Sequence, residues 1–405
     1  MIPMNRKDAT ILANPFFLYG FTWLGVVGLY LLPWSNLLPN LKLNLLVFLL
    51  LSSLFSFGLG SLLHLKKVVL YTSLDCTPKM VRRIIYSLAV LYLLLIVEFM
   101  EGGVPFYSYL FTAADAGVYK HFGIPFIHVL VLNGFGFLFL FSGHLLISSQ
   151  SRKLKMHLRI VMSLCLLAGV LMFNRALIMY SAFGFAIIFL MSKARVVRLL
   201  LLVIVFFLAL LYLFGLMGSY RSGAGYKFGQ EYALNLADAT DEFRQTGIPA
   251  EFLWAYVYIT SPLGNLQNTI DKSNTESVNY RRFPELLSRL MPEMISKRVG
   301  LEAPEGKRIA PYLTVGTVYM RSYAALGWPG MILTFVFFVF FVFLFFKLVP
   351  ASSVYFVSGL TVVNLIVFFN LFDNMFFSMS ILPQLAFPIL LQCWEQLAFI
   401  IRKDR

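Results

Sequence analysis

A succession of long apolar runs that carry almost no charge constrains this chain more than any other feature. They fall near residues 15–34, 43–63, 84–100, 126–148, 159–174, 175–192, 197–217, 326–346, 351–372 and 375–400. Crossing the hydrocarbon of a bilayer takes about 20 apolar residues in helical form, so the pattern predicts an all-α polytopic membrane protein with about ten transmembrane helices. One water-soluble core could not bury them all. Hydrophobic residues make up 59% of the 405 and charged residues only 13%, against about 25% charged in a soluble domain. A soluble enzyme, a secreted disulfide scaffold and a disordered chain are excluded on that ground. Cys76, Cys165 and Cys393 lie far apart, so neither metal spacing nor a disulfide framework can be read from them. The first run is followed by Pro33, Trp34 and Pro39 rather than by a small-residue cleavage site, and is expected to remain as a span rather than be removed as a signal peptide.

The net charge of +14 would point to nucleic acid in a soluble protein, but its distribution assigns it elsewhere. With a cytoplasmic amino terminus, the loops on one side hold 18 of the 33 basic residues, among them Arg6, Lys7, Arg82, Arg83, Arg152, Lys153, Arg195, Arg198, Arg402 and Lys403, and only Asp8, Asp75, Glu395 and Asp404 as acids. The whole excess sits on that face. The positive-inside rule then places both termini in the cytoplasm, and nucleic acid is not an expected partner. Three blocks follow: residues 1–217 with seven spans, a large periplasmic loop at 218–325, and 326–405 with three more. Prolines 249, 262, 284, 292, 304 and 311 punctuate helical patterns near 230–260 and 283–298, so the loop is expected to hold short helices and the functional site.

Arginine is grouped in and around this loop. Arg221 stands in a glycine-rich stretch, Gly218 to Gly225, where backbone and guanidinium can both approach an anion. Arg281 and Arg282 are adjacent, and Arg321 precedes the eighth span. Guanidinium forks match phosphate oxygens in bidentate geometry; solvated arginines, or pairing with Glu285, Glu293, Glu302 and Glu305, is the plainer alternative. Arg175, with Asn174, interrupts about 30 otherwise apolar residues, and a charge at such a depth marks a functional site by default, although it could also snorkel to headgroups. Glu98 and Glu101 end the third span beside Gly102, Gly103 and Pro105; either carboxylate could act as a general base or simply mark a helix end. Metalloprotease, G-x-S-x-G, Walker A and D-x-D patterns are absent, so no metal and no other cofactor is expected. An outward-facing site without ATP needs an activated donor supplied by the membrane, such as a polyprenyl diphosphate sugar.

Four segments resemble one family: E-G-G-V-P-F at 101–106; F-N-R-A-L-I-M at 173–179; G-S-Y-R-S-G at 218–223 with Y-V-Y-I-T-S-P-L-G-N-L at 256–266; and V-G-T-V-Y-M-R-S-Y-A-A-L-G-W-P-G at 315–330. In order and setting these are similar to the Wzy-type oligosaccharide repeat-unit polymerases of bacterial O-antigen, capsule and exopolysaccharide assembly. The resemblance implies a GT-C-like helical fold in the bacterial inner membrane and a metal-independent glycosyltransferase active at the periplasmic face. It would transfer the growing glycan from undecaprenyl diphosphate to the non-reducing end of a lipid-linked repeat unit. Donor and acceptor lipids, the surrounding membrane lipids, a chain-length regulator and a flippase are the partners it implies. Arg175, Arg221, Arg281, Arg282 and Arg321 match the outer-face arginines that would hold the diphosphate, and Arg221 is also placed among the catalytic residues. Tyr258 and Asn265 would shape the sugar site, and Glu101, then Glu98, would be the base. An O-antigen ligase using the same donor, and a non-enzymatic flippase or transporter, are the alternatives. A transporter should carry polar residues along mid-span and break matched helices, whereas here the charges gather at span edges and in one loop.

Overall fold

The structure, a computed structural model, describes residues 13–63, 76–111, 122–192, 229–273 and 306–403, together with Tyr212 and Pro284. Its helices are α1 (Pro15–Tyr30), α2 (Leu43–Leu62), α3 (Pro78–Gly102), α4 (Pro105–Phe111), α5 (Ile127–Ser148), α6 (Arg152–Leu171), α7 (Arg175–Ser192), α8 (Gly229–Leu236), α9 (Asp241–Gln245), α10 (Ala250–Lys272), α11 (Val318–Leu326), α12 (Trp328–Leu348), α13 (Phe356–Phe369) and α14 (Ala386–Lys403). Among the described residues there is no strand, only an isolated bridge between Ser35 and Ala239. Five helices, α2, α3, α5, α6 and α12, are long and apolar enough to cross a membrane; α1, α7 and α13 are shorter apolar helices. This is the helical architecture expected of a polytopic membrane protein. Of the expected span at 197–217, Tyr212 alone is among the described residues.

Local signals set where the helices begin. Asn14 accepts the Phe16 N–H at 3.0 Å ahead of Pro15, and Thr77 accepts the Met80 N–H ahead of Pro78, each a side-chain cap followed by a residue with no N–H to satisfy. At the centre lies α5, buried without a break from Val131 to Leu145 and packed against α3, α6, α7 and α13. Around it, α3 and α12 leave Tyr86, Val90, Leu93, Met100, Ile332, Val336 and Phe340 exposed. That is an apolar surface far larger than a soluble protein tolerates. Lipid offers no hydrophobic gain for helix association, so close packing and interhelical hydrogen bonds must supply it, each bond worth roughly 0.6–2 kcal/mol. Tyr19 of α1 provides an instance: its hydroxyl bonds Ser52 at 3.1 Å and Tyr319 at 2.6 Å.

Two regions differ from the sequence expectation. The apolar run 375–400 is not one helix. Two 3-10 turns, Met375–Phe377 and Leu382–Leu385, precede α14, because Ser378, Ser380 and Pro383 interrupt the pattern and neighbours satisfy the released backbone. The Asn370 carboxamide oxygen accepts the Met375 N–H at 2.9 Å, and Asn133 on α5 donates to the Met379 carbonyl at 2.8 Å. Irregular backbone inside a bundle is tolerated only when it is paired in this way. The second difference is at the end of the expected loop. Residues 318–326 form α11, which is buried in the main core through Val318, Tyr319, Met320 and Tyr323. The Val318 N–H bonds the Asn370 carbonyl at the end of α13, so α11 packs into the helix bundle.

The remaining loop segments form a layer at one end of the bundle, here called the loop end. The helical pattern expected over 230–260 divides into α8, α9 and the start of α10 at Asp238 and Gly247, both at positive φ. A second apolar cluster joins these helices to residues 31–42: Phe243, Leu253, Tyr256, Val257 and Leu313 pack with Leu32, Trp34, Leu37 and Leu38.

Candidate functional site

Helix α10 lies in the loop-end layer and presents a row of amides and hydroxyls to the segment 306–317, which passes over it as a strap. Asn265 is fully buried. Its amide donates to the Leu313 and Val315 carbonyls at 2.8 and 2.7 Å and accepts the Ile309 N–H at 2.7 Å. Asn268 donates to the Lys307 and Arg308 carbonyls, and Thr269 accepts the Lys307 N–H. Gln267 accepts the Lys42 N–H, while the Lys42 ammonium pairs with Asp271. Asn265, expected to hydrogen-bond a sugar, is therefore committed to the strap: a fully buried amide with three backbone partners presents nothing to a ligand. Its pinning leaves Lys307 and Arg308 exposed on the strap surface, and no carboxylate pairs with either among the described residues.

The strap leads directly into α11, where a Cβ at Gly306 or Gly316 would collide with Met320. Arg321 follows. Eight of the nine residues of α11 are buried, and Arg321 is the exception, half-buried. No hydrogen bond or ion pair reaches its guanidinium from the described residues. A half-buried charge is costly without a counter-charge, and none stands beside Arg321 among the described residues. Tyr258, half-buried on α10, stacks on Phe372 just beyond α13, with ring centroids 5.8 Å apart. Since Val318 is bonded to Asn370, this aromatic pair and α11 are both anchored at the end of α13.

Arg175 is the first residue of α7, after a tight turn in which Phe173 has φ 54° and Asn174 accepts the Leu177 N–H at 2.9 Å. Its side chain is exposed and lies 5.5 Å over the Phe173 ring, with no carboxylate beside it among the described residues. A cation at a helix N-terminus meets the positive end of the dipole, so the position costs energy unless an anion binds there.

The two carboxylates expected to compete as base are very different. Glu101 is exposed, and nothing among the described residues orients it. Glu98 is 0% exposed, with one oxygen accepting the Ile124 N–H at 3.0 Å and the other 3.2 Å from His128 Nδ1. Glu98, expected as the second choice of base, thus has both oxygens engaged inside the protein. His128 was missed as a functional candidate. It stands 30 positions from Glu98 in sequence, and only the antiparallel run of α3 and α5 brings the two together.

Of the other expected residues, Arg221, Arg281 and Arg282 lie outside the described residues. The structure brings Tyr258 and α11, which carries Arg321, to the end of α13, and it sets Arg175 and the Glu98–His128 pair on helices α7, α3 and α5. No family model, no curated protein and no solved structure matches this chain.

Proposed function

We propose that this chain is a bacterial polysaccharide polymerase that transfers a growing glycan from undecaprenyl diphosphate to a lipid-linked repeat unit. In this reading it sits in the cytoplasmic membrane with both termini inside and the loop end in the periplasm. The observation that carries it is Arg321, a half-buried guanidinium without a counter-charge among the described residues on an otherwise buried helix. Arg175, at a helix N-terminus and likewise unpaired, supports it, as do the exposed Lys307 and Arg308. A lipid-borne diphosphate brings the negative charge these groups lack. It also gains charge as the glycosyl bond breaks, so fixed cations aimed at it lower the barrier rather than merely bind the ground state. Tyr258 and Phe372 offer an aromatic face of the kind on which a sugar ring can lie.

The test is a gel profile of surface and carrier-linked glycans from cells lacking this chain and from the complemented strain. Single repeat units reaching the surface with no longer chains are expected. Full-length polymer left on the carrier would make the chain a ligase instead, and single units trapped at the cytoplasmic face would make it a flippase.

A further inference from the structure

His128 has the geometry of a prepared proton acceptor. The buried Glu98 carboxylate faces its Nδ1 at 3.2 Å and is itself fixed by the Ile124 N–H. With Nδ1–H donating to Glu98, Nε2 carries the lone pair; a carboxylate behind an imidazole fixes tautomer and orientation in this way. Among the described residues Nε2 has no partner, and the side chain is 24% exposed. The turn before α5 is shaped around the ring. Gly123 adopts φ 103°, where a Cβ would collide with the imidazole, and Phe122 meets it edge-on at 5.4 Å.

The position relative to Arg175 follows from helix register. A Cβ on Gly184 of α7 would collide with Leu140 of α5, and both helices start at the loop end. Counting nine residues back along each sets Arg175 level with Val131. His128 then stands roughly 4.5 Å nearer the loop end, at 1.5 Å per residue, on a helix packed directly against α7.

Resting on the polymerase reading above, we infer that His128, oriented by Glu98, is the general base of the transfer, in place of either carboxylate. Its Nε2 takes the proton of the acceptor sugar hydroxyl as that oxygen attacks the anomeric carbon of the donor glycan. The new glycosidic C–O bond forms while the bond from the anomeric carbon to the diphosphate oxygen breaks. The electron pair leaves with the diphosphate, towards the arginines, and the imidazolium returns its proton to water. Glu98 is a positioning residue, touching His128 and no reactant.

The experiment uses the full chain in proteoliposomes, supplied with lipid-linked repeat units extracted from membranes of cells that lack it. Removing a general base typically costs about 10²–10⁴-fold in rate. His128→Ala and His128→Gln are each expected to lower kcat at least about 100-fold with little change in KM, and added imidazole to restore part of the His128→Ala rate. The Gln variant, whose amide can still reach Glu98, guards against loss of the turn as the cause. Glu98→Gln should lower kcat less and gain nothing from imidazole. Wild-type polymerisation with His128→Gln retaining more than half its rate overturns the assignment and leaves the polymerase reading intact. A His128→Ala protein inactive with and without imidazole, beside an active Gln variant, makes His128 structural and overturns it as well. Failure of the wild-type chain to extend the units overturns the polymerase reading itself.

Discussion

The strap 306–317 is bonded to helix α10 and runs into α11, yet the two helices use their polar side chains in opposite ways. On α10, Asn265, Gln267, Asn268 and Thr269 are all engaged with backbone or neighbouring side chains. On α11, Arg321 has no partner among the described residues. The first set behaves as fold-determining polar contacts, each side chain having a partner within the protein. The second is a charge with no counter-charge among the described residues, and a half-buried charge left in that state costs stability. Polarity alone does not distinguish a clamp from a ligand site; the bookkeeping of partners does.

The contrast is sharpest in its largest expected consequence. Asn265→Ala leaves the Ile309 N–H and the Leu313 and Val315 carbonyls without their partner, and at about 1–3 kcal/mol for an orphaned buried group the loss should reach about 3 kcal/mol or more. Thermal unfolding in detergent measures it, and an unchanged midpoint would refute the clamp. Arg321→Ala should do the reverse, costing polymer synthesis about 100-fold, comparable to removing one donor aimed at a developing charge, while the unfolding midpoint stays or rises. A loss of stability to match the loss of activity would place Arg321 with the clamps. Arg175→Lys keeps the charge but not the planar fork, and an approximately tenfold drop in chain extension is expected; full activity would reduce the residue to a point charge.

Tyr256→Phe should have the smallest effect. Burial pushes the Tyr256 phenol up to about 12, so it stays protonated and donates to the Leu32 carbonyl at 2.6 Å. Because the folded value lies above the ordinary one of 10.0, this contribution is complete below pH 10 and fades as pH rises through about 12. The Phe variant should lose about 1 kcal/mol at neutral pH and lack that alkaline decline, which paired melts at pH 8 and pH 11 would reveal.

The same distinction explains how much was legible in the sequence. Apolar runs located the long helices because hydropathy over 20 residues is a local property. Helix α11 was hidden, since in the sequence 318–325 counts with the outer loop, and only the contacts of Tyr319 with Tyr19 and of Val318 with Asn370 show where this segment packs. The break before α14 was hidden because the hydropathy of 375–400 averages over Ser378, Ser380 and Pro383, and the residue that supports the opened backbone, Asn133, lies on a different helix. Arg175 and Arg321 could be singled out as charges in apolar surroundings. Asn265 could be singled out only as a polar residue in a resembling segment, and its partners, 44 to 50 positions away, show that it belongs to the fold. His128 lacked any local signal at all.

Helix α1 carries a consequence for the making of the protein. Its Tyr19 bonds a tyrosine 300 positions later, and the Ala13 carbonyl beside its start accepts from Asn364, 351 positions later. At about 5–20 residues per second of synthesis, α1 waits about 15–70 s on the ribosome's schedule before these partners exist. Throughout that interval its buried tyrosine and open carbonyl must be sheltered by the insertion machinery or by provisional neighbours. Closure of the bundle is thus a late event, completed only when the carboxy-terminal helices arrive beside the first.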